Sequence, residues 1–144
     1  MFGDVLPLSG KFFGKVFAFP VRVYYEDTDA GGVVYYANYL KFAERTRTEY
    51  LRALGCNEQQ KTLEEEKCAF MVRHADVDYK APAVLDDALV VTAEMRDVKG
   101  ASAIMHQEVY RGEQLLCVID IKVAYVSLIK KRPVRIPEYI LSKI

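Results

Sequence analysis

Residues 37–54 show the clearest helical pattern in the chain. Apolar and small side chains recur every three or four positions, and charged or polar side chains fall on the opposite side. The first set is Tyr39, Phe42, Ala43, Thr46, Tyr50 and Ala53, and the second is Lys41, Glu44, Arg45, Thr48 and Arg52. We therefore predict a helix of 18 residues, about 27 Å long, that ends at Gly55. A second, more polar helix is predicted after Asn57, over residues 58–67.

After residue 67 the pattern changes to a period of two, which indicates β-strands. One face of residues 88–97 consists of Leu89, Val91, Ala93 and Met95. One face of residues 115–127 consists of Leu115, Cys117, Ile119, Ile121, Val123 and Tyr125. Residues 68–79 and 101–111 are strand candidates of lower contrast.

Short turns join these strands, and Lys99-Gly100 and Arg111-Gly112 suit antiparallel hairpins. The connections are too short for helical crossovers, so we predict that the four strands form an antiparallel meander. One further strand precedes the long helix. The predicted fold class is α+β, with an antiparallel sheet wrapped around one dominant helix.

The composition suits a single domain over residues 1–144. The 144 residues are 51% hydrophobic, and they contain no internal repeat, low-complexity tract or dividing linker. Residues 1–15 lack a clear period, and residues 130–144 carry two prolines before a short apolar end. Both segments are predicted to be peripheral and to pack on the outside.

The charges balance, because 20 Lys and Arg residues oppose 20 Asp and Glu residues. No long-range field favours nucleic acid or an anionic membrane, and any phosphate site must be built locally. The longest uncharged stretch, residues 30–40, has 11 residues, well short of the roughly 20 that a spanning helix needs. Asp4, Lys11 and Lys15 interrupt the first 20 residues, so we predict no secretory signal and a cytoplasmic location.

The three cysteines are expected to be reduced structural thiols. Cys56, Cys68 and Cys117 are odd in number, widely spaced and without a C-x-x-C motif, which argues against disulfides and a zinc site. A nucleophilic cysteine is the lesser alternative, because it needs a nearby histidine and none is local in sequence.

The two histidines fall in strand patterns, and both are expected to be structural or surface residues. His74 is predicted on the face of Phe70 and Val72. Glu108 is the one acid at ligand spacing on the face of His106. We predict no metal and no cofactor.

The segment DTDAGG, residues 27–32, leads from an aromatic strand-like segment to the entrance of the long helix. In the simpler interpretation, Asp27, Thr28 and Asp29 turn and cap the chain, and Gly31-Gly32 supplies backbone freedom. The alternative is catalytic, because such a connection places a carboxylate beside the unpaired N–H groups of a helix N-terminus. Those groups can hold a carbonyl oxygen as it gains charge.

A carboxylate beside such an oxyanion hole can act on an acyl group in two ways. It can attack the carbonyl directly and form a mixed anhydride, or it can take a proton from an attacking water. A thioester is a fitting substrate for either route, because its thiolate leaves without strong protonation.

The segment YYEDTDAGGVVYYANYLKFAERTRTEYLRALG, residues 24–55, is very similar to the signature of the hotdog-fold acyl-CoA thioesterases of the YbgC type, a family associated with the Tol-Pal system. The likeness continues through FMVRHADVDYKAPAVLDD, residues 70–87. It implies a long central helix wrapped by an antiparallel sheet, two protomers that join their sheets, and active sites at their interface. A homo-oligomer, either a dimer or a dimer of dimers, that hydrolyses acyl-CoA is therefore expected.

The resemblance also implies roles for single residues. Asp29, the second acid of the D-x-D pair, corresponds to the catalytic carboxylate, and Asp27 to a helper that shapes the turn. Backbone N–H groups around Tyr36 would polarise the thioester carbonyl. The expected neighbours of the substrate are Gly32, Val33, Tyr35 and Glu44.

Tyr36 departs from the YbgC-type pattern, which usually has histidine at this position. A mechanism that relies on that imidazole is not available here. The related 4-hydroxybenzoyl-CoA thioesterases carry an aromatic side chain at the corresponding place, as expected if the backbone N–H polarises the carbonyl. The tyrosines at 24, 25, 35 and 36 either line an acyl pocket or pack an interface.

Coenzyme A carries a diphosphate and a 3′-phosphate that need basic partners. The cluster of Lys130, Lys131, Arg132 and Arg135 contains no acid, so Lys130 and Arg132 are candidate contacts, although the cluster also suits a solvated tail. Arg73 is an alternative phosphate or pocket-rim contact.

Two other functions are compatible with the same fold. A dehydratase would need a histidine near the helix entrance, and no histidine occurs before residue 74. A module that holds acyl carrier protein or enzymes of phospholipid synthesis at the inner membrane surface, with weak or no hydrolysis, remains the alternative.

Overall fold

In residues 1–5, 9–55 and 59–144, which the computed structural model describes, seven strands form one antiparallel sheet. Only the backbone is described for residues 59–62. The strands are β1 (Lys11–Phe13), β2 (Val16–Arg22), β3 (Cys68–Tyr79), β4 (Ala88–Lys99), β5 (Ser102–Arg111), β6 (Gln114–Ser127) and β7 (Arg132–Pro133). The helices are α1 (Asn38–Ala53), α2 (Gln59–Glu66) and α3 (Glu138–Leu141), with a 3₁₀ turn at Tyr25–Asp27.

Helix α1 agrees with the helix predicted for residues 37–54, and α2 with the one predicted for residues 58–67. The buried side of α1 consists of Asn38, Tyr39, Phe42, Ala43, Thr46 and Tyr50. Ala53 was predicted on this side but is exposed, because α1 ends there and the chain turns away at Leu54 and Gly55. The apolar side of α1 packs against the sheet and forms the core.

The faces predicted for the two strongest strands are confirmed except at Leu115. Leu89, Val91, Ala93 and Met95 of β4 are buried, and so are the side chains of β6 from Cys117 to Tyr125 at every second position. Leu115 is only half-buried and Leu116 is buried in its place, because the pairing with β5 shifts register between Leu115 and Cys117. These faces meet the buried side of α1 in one continuous core. The predicted α+β class, an antiparallel sheet around one dominant helix, is confirmed.

The predicted four-strand meander is wrong in one connection. The strand order is β1-β2-β4-β5-β6-β3, so only β4, β5 and β6 follow one another as hairpins. Strand β3 pairs with β6 instead of β4, because residues 80–87 do not form a hairpin turn. The N–H groups of Lys80 and Ala81 donate to the carbonyl of Leu116, and Val34 donates to Ala83. The connection formed by residues 80–87 therefore crosses the end of the sheet beside the start of α1.

The two ends of the chain are more ordered than the sequence predicts. Within residues 1–15, β1 forms a hairpin with β2, and the Phe12 ring lies 5.2 Å from that of Phe17 and 5.7 Å from that of Tyr50. In the tail, Ile136 and Ile140 are buried in the core cluster. Both segments therefore contribute apolar contacts to the core, and neither lies only on the outside.

A β-bulge divides strand β3. Val72 lies opposite Val123, but His74 lies opposite Lys122, so the register shifts at Arg73. The extra residue reverses the alternation of side chains. His74 is therefore on the opposite face from Phe70 and Val72, contrary to prediction. No helix in the described parts of the chain is long and apolar enough to cross a membrane.

Candidate active site

Asp27 joins the 3₁₀ turn to the start of helix α1. Its carboxylate is buried and accepts hydrogen bonds from the backbone N–H of Tyr24 at 2.8 Å and from the side-chain amide of Asn38 at 2.9 Å. Its carbonyl accepts a hydrogen bond from the N–H of Tyr35 at 2.8 Å. Asp27 is thus engaged on both its side chain and its backbone, in agreement with a residue that shapes the turn.

Asp29, two residues later, is exposed and belongs to a tight loop. One carboxylate oxygen, Oδ1, accepts a hydrogen bond from the N–H of Gly31 at 2.8 Å. The backbone of Asp29 bonds to Val33 and Gly32, with distances of 2.9 and 3.0 Å. The loop holds the carboxylate in one direction, and its second oxygen, Oδ2, has no hydrogen-bond partner among the described residues.

The two glycines make this loop possible. Gly32 has a φ of +82°, a conformation that side chains with a Cβ atom disfavour. A Cβ atom on Gly31 would lie 3.1 Å from Oδ1 of Asp29. The glycine pair therefore lets the chain reverse directly against the carboxylate.

The entrance of α1 lies directly after this loop. The N–H of Asn38 donates to the carbonyl of Tyr35 at 2.8 Å. Because the N–H and C=O groups of a trans peptide point in opposite directions, this bond turns the N–H of Tyr36 away from the helix. Within the described ranges, neither Tyr36 nor Ala37 has an acceptor for its N–H. Ala37 is the N-cap of α1, so these two free donors lie directly before its first turn.

Tyrosine rings surround these amides. The rings of Tyr35 and Tyr36 are 4.9 Å apart, and Tyr79 of β3 is 6.3 Å from Tyr36 and 5.5 Å from Tyr39. The Tyr79 hydroxyl donates to the carbonyl of Tyr36 at 2.7 Å and so fixes the peptide unit that carries the Ala37 N–H. A hydrogen bond with Tyr36 raises the pKa of Tyr35, and the nearby charge of Asp29 acts in the same direction.

The predicted site residues fall into two groups in the structure. Asp29, Gly32, Val33, Tyr35 and Tyr36 lie together in the loop before α1. Glu44 is farther along α1, and Arg73 lies at the bulge in the middle of β3. Lys130 and Arg132 follow Ser127, which pairs with Cys68 at the end of β3 opposite Tyr79. A single chain therefore does not bring Lys130 or Arg132 to Asp29.

A cavity of about 270 Å³ opens between α1 and β3, in the half of the molecule opposite Asp29. Its walls are mostly apolar, with Phe70, Val72, Met95, Met105, Val123 and Tyr125 from the sheet. Its polar side comes from α1 and consists of Glu44, Arg47 and Thr48. Glu44, predicted as a pocket residue, does line a pocket, but not one beside Asp29.

Arg47 and Gln107 were not predicted from the sequence as site residues. The Arg47 side chain is 11% exposed, and its guanidinium donates to the side-chain oxygen of Gln107 at 2.8 Å and to Glu44. Gln107 is fully buried and donates to the carbonyls of Ala43 and Thr92. Burial lowers the pKa of Arg47, against the opposing effect of Glu44. Arg47 in α1 and Gln107 in β5 are 60 residues apart in sequence, so no local pattern indicates that they are hydrogen-bonded.

The cysteines show no nucleophilic arrangement in the part of the chain that the structure describes. Cys68 and Cys117 are free, and Cys56 lies outside the described residues. Burial raises the pKa of the Cys117 thiol to about 12, which keeps it protonated at neutral pH.

The histidines lie away from the loop of Asp29. His74 is exposed, and His106 pairs with Asp120 of β6 at 2.8 Å, a cross-strand partner that the sequence did not predict. Over the described ranges, no group of three His, Cys, Asp or Glu side chains is placed to hold a metal ion.

A family model matches the chain from the glycine pair of this loop onward. The model of the thioesterase superfamily, 4HBT, matches residues 31–118, more than half of the chain. The chain belongs to the thioesterase superfamily.

Several members of this superfamily are similar to the chain. It is 52% identical over 122 residues to the acyl-CoA thioesterase YbgC of Haemophilus influenzae, covering 85% of this chain and 89% of the relative. It is 43% identical over 129 residues to the acyl-CoA thioester hydrolase YbgC of Escherichia coli O157:H7, covering 89% of this chain and 95% of the relative. The resemblance to the YbgC type is confirmed.

Solved thioesterase structures share the fold. A probable thioesterase from Bartonella henselae superposes with a TM-score of 0.77 at 37% identity, over 83% of this chain and 98% of that one. The predicted hotdog fold of this superfamily member is thus confirmed.

Proposed function

We propose that this chain hydrolyses acyl-coenzyme A to a free acid and coenzyme A, with Asp29 as the catalytic carboxylate. The observation that carries the proposal is the position of Asp29. Its carboxylate is exposed and fixed by Gly31, and the loop leads directly to the free N–H groups of Tyr36 and Ala37. A nucleophile or base beside preorganised donors is what acyl transfer requires. The names of the relatives from Haemophilus influenzae and Escherichia coli support acyl-CoA as the substrate class.

Two routes use the same carboxylate. In the first, Oδ2 of Asp29 attacks the thioester carbon, and the carbonyl oxygen takes up the negative charge beside the N–H of Tyr36. The carbon–sulfur bond then breaks, coenzyme A leaves as a thiolate, and water hydrolyses the mixed anhydride. In the second, Asp29 takes a proton from water as the water attacks the same carbon, and the thiolate leaves from the tetrahedral intermediate.

In this proposal the backbone of Tyr36 contributes the oxyanion contact, and its ring has no chemical role. The contact needs a rigid peptide, because a donor already aligned with the oxyanion requires no reorganisation during the reaction. Hydrogen bonds to the carbonyls of Tyr35 and Tyr36 supply that rigidity, from Asn38 and Tyr79 respectively. Replacement of the histidine of the YbgC pattern by Tyr36 is compatible with such a mechanism.

We further propose that two chains build each active site. Strand β3 is at the edge of the sheet, most of its residues are exposed, and 12 residues span roughly 36 Å. Two β3 edges that pair antiparallel about a two-fold axis would bring the Tyr79 end of one chain to the Cys68 end of its partner. The loop of Asp29 would then face the partner's apolar cavity and basic residues.

This arrangement gives the remaining predicted residues a use. The acyl group would enter the cavity beside Glu44, and Lys130 and Arg132 would bind the phosphates of coenzyme A, with Arg73 at the interface as the alternative. Gly32, Val33 and Tyr35 would border the thioester. A dimer, or a dimer of dimers, is the assembly proposed, with no cofactor, and the cytoplasm is its proposed location.

Thiol release from a panel of acyl-CoA esters tests the activity. We expect hydrolysis of at least one class among short aliphatic, long aliphatic and aromatic acyl groups. The same acyl groups attached to acyl carrier protein form the comparison. If no coenzyme A ester is hydrolysed and the carrier protein binds, the proposal is wrong and a carrier-binding module takes its place.

Mixing two impaired variants tests the shared site. Asp29→Asn lacks the carboxylate, and the double variant Lys130→Gln/Arg132→Gln lacks the phosphate contacts, so each alone is expected to be slow at low substrate concentration. After dissociation and reassembly, half of the dimers contain one intact site, which restores about a quarter of the sites. Activity that does not rise above the two separate variants would contradict a site built from two chains.

A further inference from the structure

A second cavity lies beside the last turn of α1. Its volume is about 370 Å³, and its walls come from the β1–β2 hairpin, from α1 and from the C-terminal segment. Phe12, Tyr50, Leu54 and Ile144 make much of this wall apolar. We call it the second cavity, and the cavity beside Glu44 the first cavity. The proposed function gives the second cavity no occupant.

Met95 of β4 separates the two cavities. Among the described residues, it alone lines both of them. In α1, Leu51 lines the first cavity and its neighbour Tyr50 lines the second. In the C-terminal segment, Ile140 lines the first cavity and Ile144 lines the second. The same elements therefore border both cavities, and the buried side chain of Met95 is the partition on the side of the sheet.

A methionine suits a wall that moves. Its side chain is unbranched and has three rotatable bonds, so it adapts to the shape of what it contacts. The β-branched side chains of Val72 and Val123, also in the first cavity, are stiffer. The backbone of Met95 is held in β4, where it pairs with Met105 of β5. The side chain of Met95 can therefore turn while the strand stays in place.

The volumes relate the two cavities to the length of an acyl chain. A methylene group is similar in size to a water molecule, which takes up about 30 Å³. The first cavity, of about 270 Å³, therefore holds about nine methylene groups. The second cavity adds space for about twelve more. A medium-length chain fits the first cavity alone, whereas a chain of the length of hexadecanoyl needs both.

We propose that Met95 sets the length of the acyl chain that the protein accepts. Unbranched chains of up to about ten carbons fill the first cavity with Met95 in place. Longer chains turn the Met95 side chain aside and continue into the second cavity, where Phe12 and Leu54 offer apolar contacts. This inference rests on the proposed hydrolysis of acyl-CoA, and it names unbranched aliphatic acyl groups as the substrate class.

The ratio of kcat/KM for hexadecanoyl-CoA to kcat/KM for octanoyl-CoA tests the proposal. We expect Met95→Ala, which opens the partition, to raise this ratio at least about tenfold, and Met95→Phe, which closes it, to lower the ratio by a similar factor. A variant that only loosens the fold lowers both rates and leaves their ratio unchanged.

Met105→Ala is the matched control. Met105 is the cross-strand neighbour of Met95 and lines the first cavity, but it is not among the described residues around the second. Its replacement enlarges the first cavity without joining it to the second, so the ratio should stay near that of the unmodified protein. An equal rise in Met105→Ala and Met95→Ala, or no rise in Met95→Ala, would overturn the proposal.

Blocking the second cavity tests where the long chain goes. Ala53 lines that cavity, and Ala53→Phe places a ring in it. Added to Met95→Ala, this substitution should return the ratio to the value of the unmodified protein. A ratio that stays high in the double variant would show that long chains do not use the second cavity.

Binding of free fatty acids separates this inference from the proposed function. If no acyl-CoA is hydrolysed, the proposed function is wrong, and calorimetric titration with octanoate and hexadecanoate still decides the role of Met95. Hexadecanoate should then gain at least about tenfold in affinity relative to octanoate in Met95→Ala. The same relative affinity in Met95→Ala and the unmodified protein would overturn the inference.

Discussion

The side-chain amide of Asn38 donates a hydrogen bond to the buried carboxylate of Asp27, with 2.9 Å between Nδ2 of Asn38 and Oδ1 of Asp27. Asn38 is the first residue of α1, and Asp27 ends the 3₁₀ turn that precedes the loop of Asp29. This hydrogen bond therefore joins the residue before the loop of Asp29 to the first residue of the helix after it. It holds the carboxylate of Asp29 and the amides of Tyr36 and Ala37 in one rigid unit.

Asn38→Ala would leave one oxygen of the buried Asp27 carboxylate without this partner. We expect the free energy of unfolding to fall by about 1.5–3 kcal/mol, the range for a hydrogen bond to a charged group. The rate of thiol release should also fall, because the loop loses its tie to α1. Urea denaturation measures the first effect. Lys41→Ala, at an exposed site on the same helix, is the control and should change stability by less than about 0.5 kcal/mol. If Asn38→Ala and Lys41→Ala lost the same free energy of unfolding, the hydrogen bond between Asn38 and Asp27 would not contribute to stability as stated.

Gly32→Ala should impair the site through the backbone. Because Gly32 has a φ of +82°, a Cβ atom there costs about 1–2 kcal/mol or forces the loop into another conformation. Gly14→Ala is the matched control, because Gly14 has a φ of +64° in the β1–β2 turn and open space around it. We expect both variants to lose stability in denaturation experiments, but only Gly32→Ala to lose kcat. A comparable loss of kcat in Gly14→Ala would contradict this.

The pair of Arg47 and Gln107 should behave as a coupled unit. Gln107→Leu leaves a buried guanidinium with one partner fewer and takes one hydrogen-bond donor from each of two backbone carbonyls. We expect it to destabilise the fold by about 2–3 kcal/mol. The double variant Arg47→Met/Gln107→Leu removes the charge as well and should recover part of that loss. Denaturation of the two single variants and the double variant measures this, and strictly additive losses would argue against coupling.

The fold should lose stability as the pH rises above 9. Burial raises the pKa of Cys117 from 9.0 to about 12 and that of Tyr50 from 10.0 to about 12. In the unfolded chain these groups release their protons earlier, so the unfolded state binds fewer protons and gains stability with pH. The contribution of Cys117 is complete below pH 9 and is lost as the pH rises towards 12, by about 1 kcal/mol between pH 9 and 10. Cys117→Val should flatten this part of the pH–stability curve, and an unchanged slope would show that the thiol does not carry the effect.

Much of the local structure could be predicted because its cause is local. The period of residues 37–54 defines α1 to within one residue at each end, and the alternation in β4 and β6 identifies their buried faces. The loop of Asp29 was predictable for the same reason, since acids, glycines and a helix entrance follow one another in sequence. Turn chemistry and periodicity act over few residues.

The remaining features depend on contacts between distant segments. Strand β3 pairs with β6 and not with β4, and the bulge at Arg73 reverses the side on which His74 lies. Neither has a signal in the sequence of β3 alone, because its pattern is of low contrast. The contact of Arg47 with Gln107 likewise joins residues 60 positions apart. A polar residue in a strand pattern gives no indication of the helix residue that it meets.

The role of Asp29 is tested most directly by Asp29→Asn. The measurement is kcat/KM for thiol release from the best substrate of the panel, at equal concentrations of folded protein, for the unmodified chain, Asp29→Asn and Glu26→Gln. Glu26→Gln removes an exposed acid three residues away and controls for the loss of local charge. We expect Asp29→Asn to lose on the order of 10²-fold or more, as for a group that acts in the transition state, and Glu26→Gln to stay near the unmodified rate. Near-normal hydrolysis by Asp29→Asn would contradict the assignment of the catalytic carboxylate.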